Sequence, residues 1–360
     1  MRAAIMHGVD SAVALETVHP VDPGPRDVIV QLEATGLCHS DISAVRGFLG
    51  LQPPAILGHE AAGTVVETGR DVTAVRVGDR VIASLVPVCG ACYWCVNGQT
   101  HLCADTFAVR GVTRAHLAGG EAVTAMLGLG AFADRMTIDE RLAVKVESDL
   151  PSEQLALIGC GIATGAGAAM LTARVRPGST VAVIGCGGVG QAVIQGARIC
   201  GASQVIAVDP LELKRLVGVS SGATDVIDPS TDDTVARVRE LTGGRGVDYA
   251  FEVVGSPATV AVAYECARRG GMVTTVGIPA PQARLDLPAS DFFRAEKRIV
   301  GSYYGSTQVR ADFQRYADLI AAARLDAAAL ITHRYGLDEL ADAFTDLQSG
   351  QSVRGVIKFA

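Results

Sequence analysis

Residues 180–190 read TVAVIGCGGVG, a short apolar strand that runs directly into a glycine-rich turn and then into a helical stretch. Gly185, Gly187 and Gly190 form the pattern GxGxxG. The first glycine permits a tight turn, the second lets the backbone approach a pyrophosphate, and the third allows the helix to pack closely. The stretch therefore predicts a dinucleotide-binding unit.

The rest of the turn and the strand after it indicate which nucleotide is bound. Gly188 and Val189 lie where a helix N-terminus offers backbone N–H groups and a positive dipole to an anion. Asp209 ends the next strand, QVIAVD. A carboxylate at that point accepts hydrogen bonds from the adenosine ribose hydroxyls and repels a 2′-phosphate. NAD is therefore expected in preference to NADP.

Apolar strands alternate with helical stretches from residue 179 onward. The strands are TVAVIG, QVIAVD, DVID, VDYAFEVVG, MVTTVGI and RIVGSYYG. Six strands with helices between several of them predict an α/β unit built on a doubly wound parallel sheet.

The first part of the chain, residues 1 to about 150, has a different pattern. Short β-type stretches such as DVIVQLEATG and AAGTVVETG are separated by Gly and Pro, which predicts a mainly antiparallel, barrel-like unit. Near the other end an amphipathic helix, LDELADAFTDLQSG, precedes the strand-like VRGVIKFA. That last strand needs a sheet to join, and we expect it to return to the first unit.

Composition and charge narrow the class of protein. The chain has 360 residues, of which 49% are hydrophobic and 19% charged, which fits two globular domains. The net charge of −7 and the lack of a Lys/Arg run argue against a nucleic-acid partner. The uncharged window 177–197 is long enough to cross a membrane, but its glycines favour a buried strand, turn and helix. With no signal-peptide pattern at residue 1, we expect a cytoplasmic protein that acts on a small molecule and is not bound to a membrane.

Four cysteines lie close together in one loop, with the spacing CxxCxxC, seven residues, then Cys. They are Cys89, Cys92, Cys95 and Cys103. Four thiolates that close on one tetrahedron suit a structural zinc ion and leave no ligand position for a substrate. An iron–sulfur cluster is the alternative, but the loop lacks the Cys-Pro ending of one common ferredoxin motif.

A second set of metal-ligand residue types is dispersed. Cys38 lies in GLCHSD, His59 and Glu60 lie in LGHEAAG, and Cys160 lies in LIGCGIATG. No local spacing brings these residues together, and a single Cys or His in an apolar chain is more often a packing residue.

These segments, the four-cysteine loop and the GCGGVG turn follow the order and approximate spacing of a known family. The chain resembles the zinc-containing alcohol dehydrogenases of the medium-chain dehydrogenase/reductase family over essentially its whole length, including VGIPA near residue 276 and SVRGVIKF at 352–359. The resemblance implies a GroES-like, mainly β catalytic domain formed by 1–161 and 304–360, and a Rossmann coenzyme domain formed by 162–303. It also implies two zinc ions per chain, one structural and one catalytic.

The resemblance assigns roles to the dispersed residues. It implies that Cys38, His59 and Cys160 hold the catalytic zinc, with a fourth position open to water or the substrate oxygen. Glu60 is similar to the acid that approaches the metal during ligand exchange, and Asp41 to the carboxylate that orients the histidine. Ser40 matches the first hydroxyl of the proton relay; where many members continue that relay through a histidine, this chain has Ser43. Either water or His39 would take that place.

Further coenzyme contacts are implied by position. His39 stands where relatives place an Arg or His against the pyrophosphate. The other implied contacts are Lys214 at the adenosine ribose, Thr164 against the nicotinamide ring, Val276 at the carboxamide through its backbone, and Arg354 toward the pyrophosphate. Each of these residues has the alternative of ordinary packing or a solvated charge. Cys186, Cys200 and Cys266 remain outside both zinc sites and are expected to be packing residues.

The expected substrate is a hydrophobic primary alcohol or aldehyde, because Leu57, Leu85 and the segment MLGLGAF (126–132) are apolar and adjoin the predicted metal site. The insertion 104–127 favours a homodimer, with a homotetramer as the alternative. The same insertion resembles that of the mycothiol-dependent formaldehyde dehydrogenases of actinobacteria, for which Arg110, Arg114 and His116 would supply basic residues. A biosynthetic reductase of iminium or enal groups is a second alternative, and a non-catalytic binding protein is a third.

Overall fold

The computed structural model describes residues 1–359 and divides them into two compact units. The first unit comprises Met1–Cys160, Gln308–Ala322 and the residues from Ile331 onward. The second unit comprises Gly161–Thr307 and Ala323–Leu330.

Nineteen strands are present in the described residues. In chain order they are β1 Arg2–Met6, β2 Val13–Thr17, β3 His19–Pro20, β4 Asp27–Gly36, β5 Ala55–Ile56, β6 Glu60–Thr68, β7 Arg80–Ala83, β8 Ala115–His116, β9 Ala122–Ala125, β10 Arg135–Asp139, β11 Ala143–Lys145, β12 Thr180–Ile184, β13 Gln204–Val208, β14 Asp225–Ile227, β15 Val247–Glu252, β16 Ala267–Thr275, β17 Arg298–Gly301, β18 His333–Tyr335 and β19 Gly355–Lys358.

The same part of the chain forms eleven α-helices. They are α1 His39–Val45, α2 Tyr93–Val96, α3 Ser152–Leu157, α4 Ala163–Gly167, α5 Gly188–Ile199, α6 Glu212–Ser220, α7 Thr234–Leu241, α8 Pro257–Cys266, α9 Ala289–Ala295, α10 Val309–Ala321 and α11 Leu340–Ser349. Two π-helical stretches, Ile158–Ile162 and Ala168–Thr172, flank α4.

The second unit is built on one six-stranded sheet in the order β14-β13-β12-β15-β16-β17, with every neighbouring pair parallel. These are the six strands predicted from the sequence, so that prediction is confirmed. The order runs outward in both directions from the β12–β15 pair, which is the switch point at which doubly wound sheets bind ligands.

Helices cover both faces of this sheet, because alternate side chains of β12 belong to two different core clusters. Val181 and Val183 pack into one core cluster with residues of α5, whereas Ala182 and Ile184 pack into another with residues of α7 and α8. Successive side chains of a strand point to opposite faces, so a strand buried on both sides is apolar throughout. The apolar run TVAVI has that composition.

The first unit contains two mainly antiparallel sheets. One has the order β2-β1-β5-β9-β8-β3, and the other has the order β11-β7-β6-β4-β19-β18 with β10 also paired to β4. The strand predicted near the end of the sequence joins the second of these sheets, where Ile357 pairs with Thr35 of β4. Its predicted return to the first unit is confirmed.

One helical run is long and apolar enough to cross a membrane by length and composition. It is Ser152–Thr172, and 78% of its apolar window is buried inside the protein, as in a core helix. The window 177–197, considered from sequence, instead forms β12, the glycine turn and most of α5.

The compact units differ from the expected domain bounds at Gly161 and in two short segments. Residues 304–307 and 323–330 belong to the second unit, whereas the expected bounds placed them in the first domain. Hydrogen bonds tie each of these two segments to the second unit. The Gln195 side chain bonds the backbone N–H and carbonyl of Asp326, and the Thr307 hydroxyl donates to the Ala163 carbonyl at 3.3 Å.

Candidate functional site

Four dispersed residues of the first unit meet at one buried point. Cys38 precedes α1, His59 precedes β6, Glu60 begins β6, and Cys160 lies in the π-helical stretch Ile158–Ile162. Their ligand atoms all lie within 4.8 Å of one another, and all four residues are buried. The structure therefore brings together the residues for which sequence spacing gave no evidence of contact.

Gly159 explains how the chain carries Cys160 so close to the sheet. A β-carbon on Gly159 would lie 2.6 Å from the carbonyl oxygen of Ala83 in β7, closer than side-chain carbons are found. Only glycine therefore allows this helical turn to approach the strand. π-Helical turns are rare and occur often at functional sites, which fits the position of Cys160.

Asp41 orients two residues of this cluster, Cys38 and His59. Its carboxylate accepts a hydrogen bond from the Cys38 backbone N–H at 3.0 Å and lies 3.0 Å from His59 Nδ1. The other ring nitrogen, His59 Nε2, faces the cluster, is buried and has no hydrogen-bond partner. A buried imidazole nitrogen without a partner is costly unless it binds something, and a metal ion satisfies it.

Glu60 and Arg354 form a buried ion pair beside this cluster. Arg354 Nη1 lies 3.3 Å from Glu60 Oε1 and donates to the Leu37 carbonyl at 2.9 Å. Burial raises the pKa of Glu60 to about 7, although the charge of Arg354 opposes the rise. The sequence gave no signal of this pair, since neither residue lies in a motif that specifies the other.

The two thiols of the cluster shift each other's pKa in opposite directions. Their mutual hydrogen bond holds the pKa of Cys38 well below its usual range and raises that of Cys160 well above it. Burial lowers the pKa of His59, but the charge and hydrogen bond of Asp41 outweigh it, so the pKa is raised well above its usual value. Two sulfurs and an imidazole nitrogen are donors that zinc accepts, and the set fits a tetrahedral site with three protein ligands.

The four-cysteine loop forms a second, separate cluster. The sulfurs of Cys89, Cys92, Cys95 and Cys103 lie within 4.8 Å of one another, and those of Cys89 and Cys95 are 3.9 Å apart. Zinc–sulfur bonds of about 2.3 Å give tetrahedral edges of about 3.8 Å. The Ala104 backbone N–H donates to the Cys92 sulfur at 3.5 Å. This hydrogen bond is the largest of the effects that lower the pKa of the Cys92 thiol to about 6. The loop therefore fits a zinc ion held by sulfur alone.

The glycine turn has the geometry that its sequence predicts. Gly185 has a positive φ of 93°, and a β-carbon on Gly190 would overlap the Gly185 carbonyl oxygen. A β-carbon on Gly187 would meet nothing within 4 Å, so the backbone there stands open. Asp209 is buried behind the turn and accepts from the Cys186 backbone N–H at 2.8 Å and from Leu211 N–H at 2.9 Å.

The remaining predicted residues are distributed over both units. Ser40 Oγ lies 3.6 Å from the Cys38 sulfur, and His39 beside it is exposed. In the second unit, Thr164 lies in α4 and Lys214 in α6, while the Val276 backbone N–H donates to the Glu252 carbonyl at 2.8 Å. Gly188 and Val189 open α5.

The apolar residues expected around the substrate divide into two groups. Leu57 and Phe132 are fully buried in one core cluster, whereas Leu127 is half-buried and lines a small cavity with Met126. Of the three basic residues considered for a thiol adduct, Arg114 is buried and paired with Asp27 at 3.0 Å. It is therefore not available to a ligand.

The chain matches two family models. Residues 188–322 match a zinc-binding dehydrogenase model, and residues 24–148 match the alcohol dehydrogenase GroES-like domain.

Relatives and solved structures extend the match to the whole chain. An NDMA-dependent alcohol dehydrogenase of Amycolatopsis methanolica is 36% identical over 99% of this chain and 98% of its own length. An S-(hydroxymethyl)glutathione dehydrogenase of Synechocystis is 32% identical over 99% of both chains. The crystal structure of benzyl alcohol dehydrogenase from Acinetobacter calcoaceticus superimposes with a TM-score of 0.92, at 31% identity over 100% of this chain and 99% of that one.

The resemblance noted from the sequence is thus confirmed by domain models, relatives and structure alike. The parallel sheet with its glycine turn and the GroES-like domain are the two domain types that the resemblance implies. The chain belongs to the zinc-containing alcohol dehydrogenases of the medium-chain dehydrogenase/reductase family.

Proposed function

We propose that this enzyme oxidises hydrophobic primary alcohols, and reduces the corresponding aldehydes, with NAD as the hydride carrier. The observation that carries the proposal is the convergence of Cys38, His59 and Cys160 on one buried point of the first unit. Three protein ligands leave the fourth position of a tetrahedral zinc site open to a substrate, as catalytic sites require. A bound zinc ion would supply Lewis-acid chemistry, lowering the pKa of an alcohol hydroxyl.

The protein side of the reaction is divided among neighbouring residues. Asp41 fixes the His59 ring through Nδ1, so that Nε2 points at the cluster. Glu60 supplies a carboxyl group whose pKa of about 7 lets it gain or lose a proton near neutral pH. Its ion pair with Arg354 lowers the free-energy cost of burying the carboxylate. Ser40 Oγ is the hydroxyl beside the cluster that can pass a proton outward, because it is only half-buried.

The preference for NAD is argued from Asp209 and its surroundings. Two backbone N–H groups hold the carboxylate at the end of β13, beside the glycine turn, where a ribose would lie. The nearby cation Arg215 bonds the Asp209 carbonyl at 2.8 Å and pairs with Asp228 at 3.0 Å, so it is not free to receive a 2′-phosphate.

A metal count combined with an alcohol screen tests the proposal. We expect two zinc ions per chain, and turnover of hydrophobic primary alcohols with NAD and much less with NADP. Cys38→Ala should remove one zinc ion and the activity, while the second ion stays. If one zinc ion is found and it survives Cys38→Ala, the proposed catalytic site is wrong. Light scattering of the same sample tests the proposed homodimer against a homotetramer.

A second candidate function is thiol-dependent oxidation of formaldehyde. It is favoured by the similarity to the S-(hydroxymethyl)glutathione dehydrogenase and by Arg110, which, unlike Arg114, has no carboxylate partner in the described chain. Formaldehyde oxidation measured with and without mycothiol separates the two. Activity that requires the thiol, together with poor turnover of simple alcohols, would favour this second function.

A further inference from the structure

Glu252 is a fully buried acid at the end of β15, and it forms no ion pair within residues 1–359. Its Oε1 accepts three hydrogen bonds, from the backbone N–H of Val254 at 2.8 Å, the N–H of Gly255 at 2.7 Å and the Thr259 hydroxyl at 2.7 Å. Its Oε2 is buried and has no hydrogen-bond partner. A side chain that accepts and does not donate behaves as an ionised carboxylate. The second unit therefore holds a buried negative charge at this point.

The turn that this carboxylate holds, residues 253–256, fits tightly between the turns that follow β12 and β16. On one side, a β-carbon on Gly185 would lie 2.7 Å from the Val254 side chain. On the other side, a β-carbon on Gly255 would lie 2.4 Å from the carbonyl oxygen of Ile278. The buried carboxylate therefore anchors the middle one of three contacting turns at the carboxyl edge of the sheet.

These three turns border the coenzyme site proposed above. A dinucleotide binds across the carboxyl edge of a doubly wound sheet, with one half on each side of the switch point. Asp209, at the end of β13, is proposed to receive the adenosine ribose on one side. We therefore expect the nicotinamide half at the ends of β15 and β16, where Val254 and Ile278 are exposed apolar side chains. Glu252 lies at the base of that region.

The hydrogen bonds of the turn do not by themselves require a charge at Glu252. Glutamine would offer the same accepting oxygen, whereas a buried carboxylate costs free energy of desolvation. The N-terminus of α8, which Ser256 caps, offsets part of that cost through the helix dipole. A charge that is costly to bury and is not needed for its local contacts indicates a function for the charge itself.

We propose that Glu252 is a positioning residue whose negative charge strengthens the binding of NAD relative to NADH. The inference rests on the proposed function, in which NAD is the hydride carrier. The nicotinamide ring of NAD carries a positive charge, and the ring of NADH is neutral, so a buried anion nearby stabilises only the oxidised form. Because Glu252 is fully buried, it acts on the coenzyme through its electric field and through the turn, without contact.

Binding of the two coenzyme forms tests the proposal without turnover. Calorimetry gives Kd for NAD, and the fluorescence of NADH gives Kd for the reduced form. Glu252→Gln should raise Kd for NAD about 10-fold, the order expected when a unit charge acts through the protein interior, and change Kd for NADH less than about 2-fold. Glu265→Gln, an exposed glutamate on the same helix α8, is the matched control and should change neither. An unchanged Kd for NAD in Glu252→Gln, or equal weakening of both forms, would overturn the proposal.

Two variants that keep the charge separate the electric field from the shape of the turn. Thr259→Val removes one hydrogen bond to Oε1, and Glu252→Asp keeps a carboxylate on a shorter side chain. Both should weaken NAD and NADH by similar factors and leave the ratio of the two Kd values unchanged. A changed ratio in either variant would contradict the proposal, and this comparison holds even if Glu252→Gln does not fold.

The same measurements distinguish this inference from the proposed function. If no alcohol is oxidised but the ratio of Kd for NAD to Kd for NADH rises in Glu252→Gln, the proposed substrate class fails and the role of Glu252 stands. If alcohols are oxidised with NAD and the ratio stays the same in Glu252→Gln, the proposed function stands and the role of Glu252 is refuted.

Discussion

Asp41 contacts the backbone of one predicted metal ligand and the side chain of another. Its carboxylate accepts from the Cys38 N–H at 3.0 Å and lies 3.0 Å from His59 Nδ1, and the Asp41 side chain is itself buried. One side chain therefore fixes the start of α1 and the plane of the imidazole ring together. Metal-ligand histidines depend on such partners for their tautomer and orientation.

Removing the Asp41 carboxylate should weaken zinc binding at the site of Cys38 and His59. We expect Asp41→Ala to lower zinc affinity at the Cys38 site about 10- to 100-fold, measured by competition with a chromophoric chelator. Asp41→Asn keeps one acceptor oxygen and should lose less. Asp10→Ala, at an exposed turn, serves as the control. Equal affinity in wild type and Asp41→Ala would show that the ring needs no such support.

The four-cysteine loop should contribute to stability and not to chemistry. Cys95→Ser is expected to remove one zinc ion and to lower the free energy of unfolding by on the order of 3 kcal/mol, because the sulfurs would lose their shared ligand. Cys200→Ser changes a half-buried thiol outside both clusters and should cost about 1 kcal/mol or less. Thermal unfolding and zinc analysis check both variants. Similar losses of stability would argue against a metal in the loop.

Two glycines of the turn should respond differently to the same substitution. Gly190→Ala places a methyl group against the Gly185 carbonyl and should destabilise the second unit by about 1–3 kcal/mol. Gly187→Ala meets open space, so the melting temperature should stay nearly unchanged while NAD affinity falls, because the methyl group would occupy the approach of the pyrophosphate. Calorimetry and NAD titration are the measurements. Unchanged NAD affinity in Gly187→Ala would contradict this arrangement.

Asp209 should determine the choice of coenzyme. In Asp209→Asn the charge that repels a 2′-phosphate is gone while an acceptor oxygen remains, so the ratio of kcat/KM for NAD to that for NADP should fall at least about 10-fold. Asp228→Asn should shift the ratio the same way by a smaller factor, because it releases Arg215 from its ion pair. An unchanged ratio in Asp209→Asn would refute the assignment.

Ser40 should matter for alcohol oxidation in a way that Ser43 does not. We expect Ser40→Ala to lower oxidation of primary alcohols about 100-fold, since a positioned proton carrier contributes about that much. Ser43→Ala should have little effect, because this chain has serine where relatives continue the relay with histidine. Reduction of an activated double bond, assayed in parallel, should be affected far less by Ser40→Ala. Equal losses in the two reactions would count against a proton-relay role for Ser40.

The fold was predictable where the residues that determine a feature are close together in the sequence. Strand, glycine turn and helix follow each other within 180–199, and the four-cysteine spacing lies within one loop. The buried cluster of Cys38, His59 and Cys160 depends on how separate segments pack, which spacing does not encode, so only family resemblance could propose it. The Glu60–Arg354 and Asp27–Arg114 pairs were missed for the same reason. That 323–330 packs with the second unit depends on the contact of the Gln195 side chain with Asp326, which has no sequence signature.

The pairing of β19 with β4 has a consequence for the order of synthesis. During translation, β4 and the cluster residues Cys38, His59 and Glu60 leave the ribosome early. Arg354 and β19 are added only after the whole of the second unit has been made. Until then the first unit has an open sheet edge at β4 and a buried carboxylate without its cation, and each is unfavourable. The half of the enzyme that is translated first must therefore be completed last.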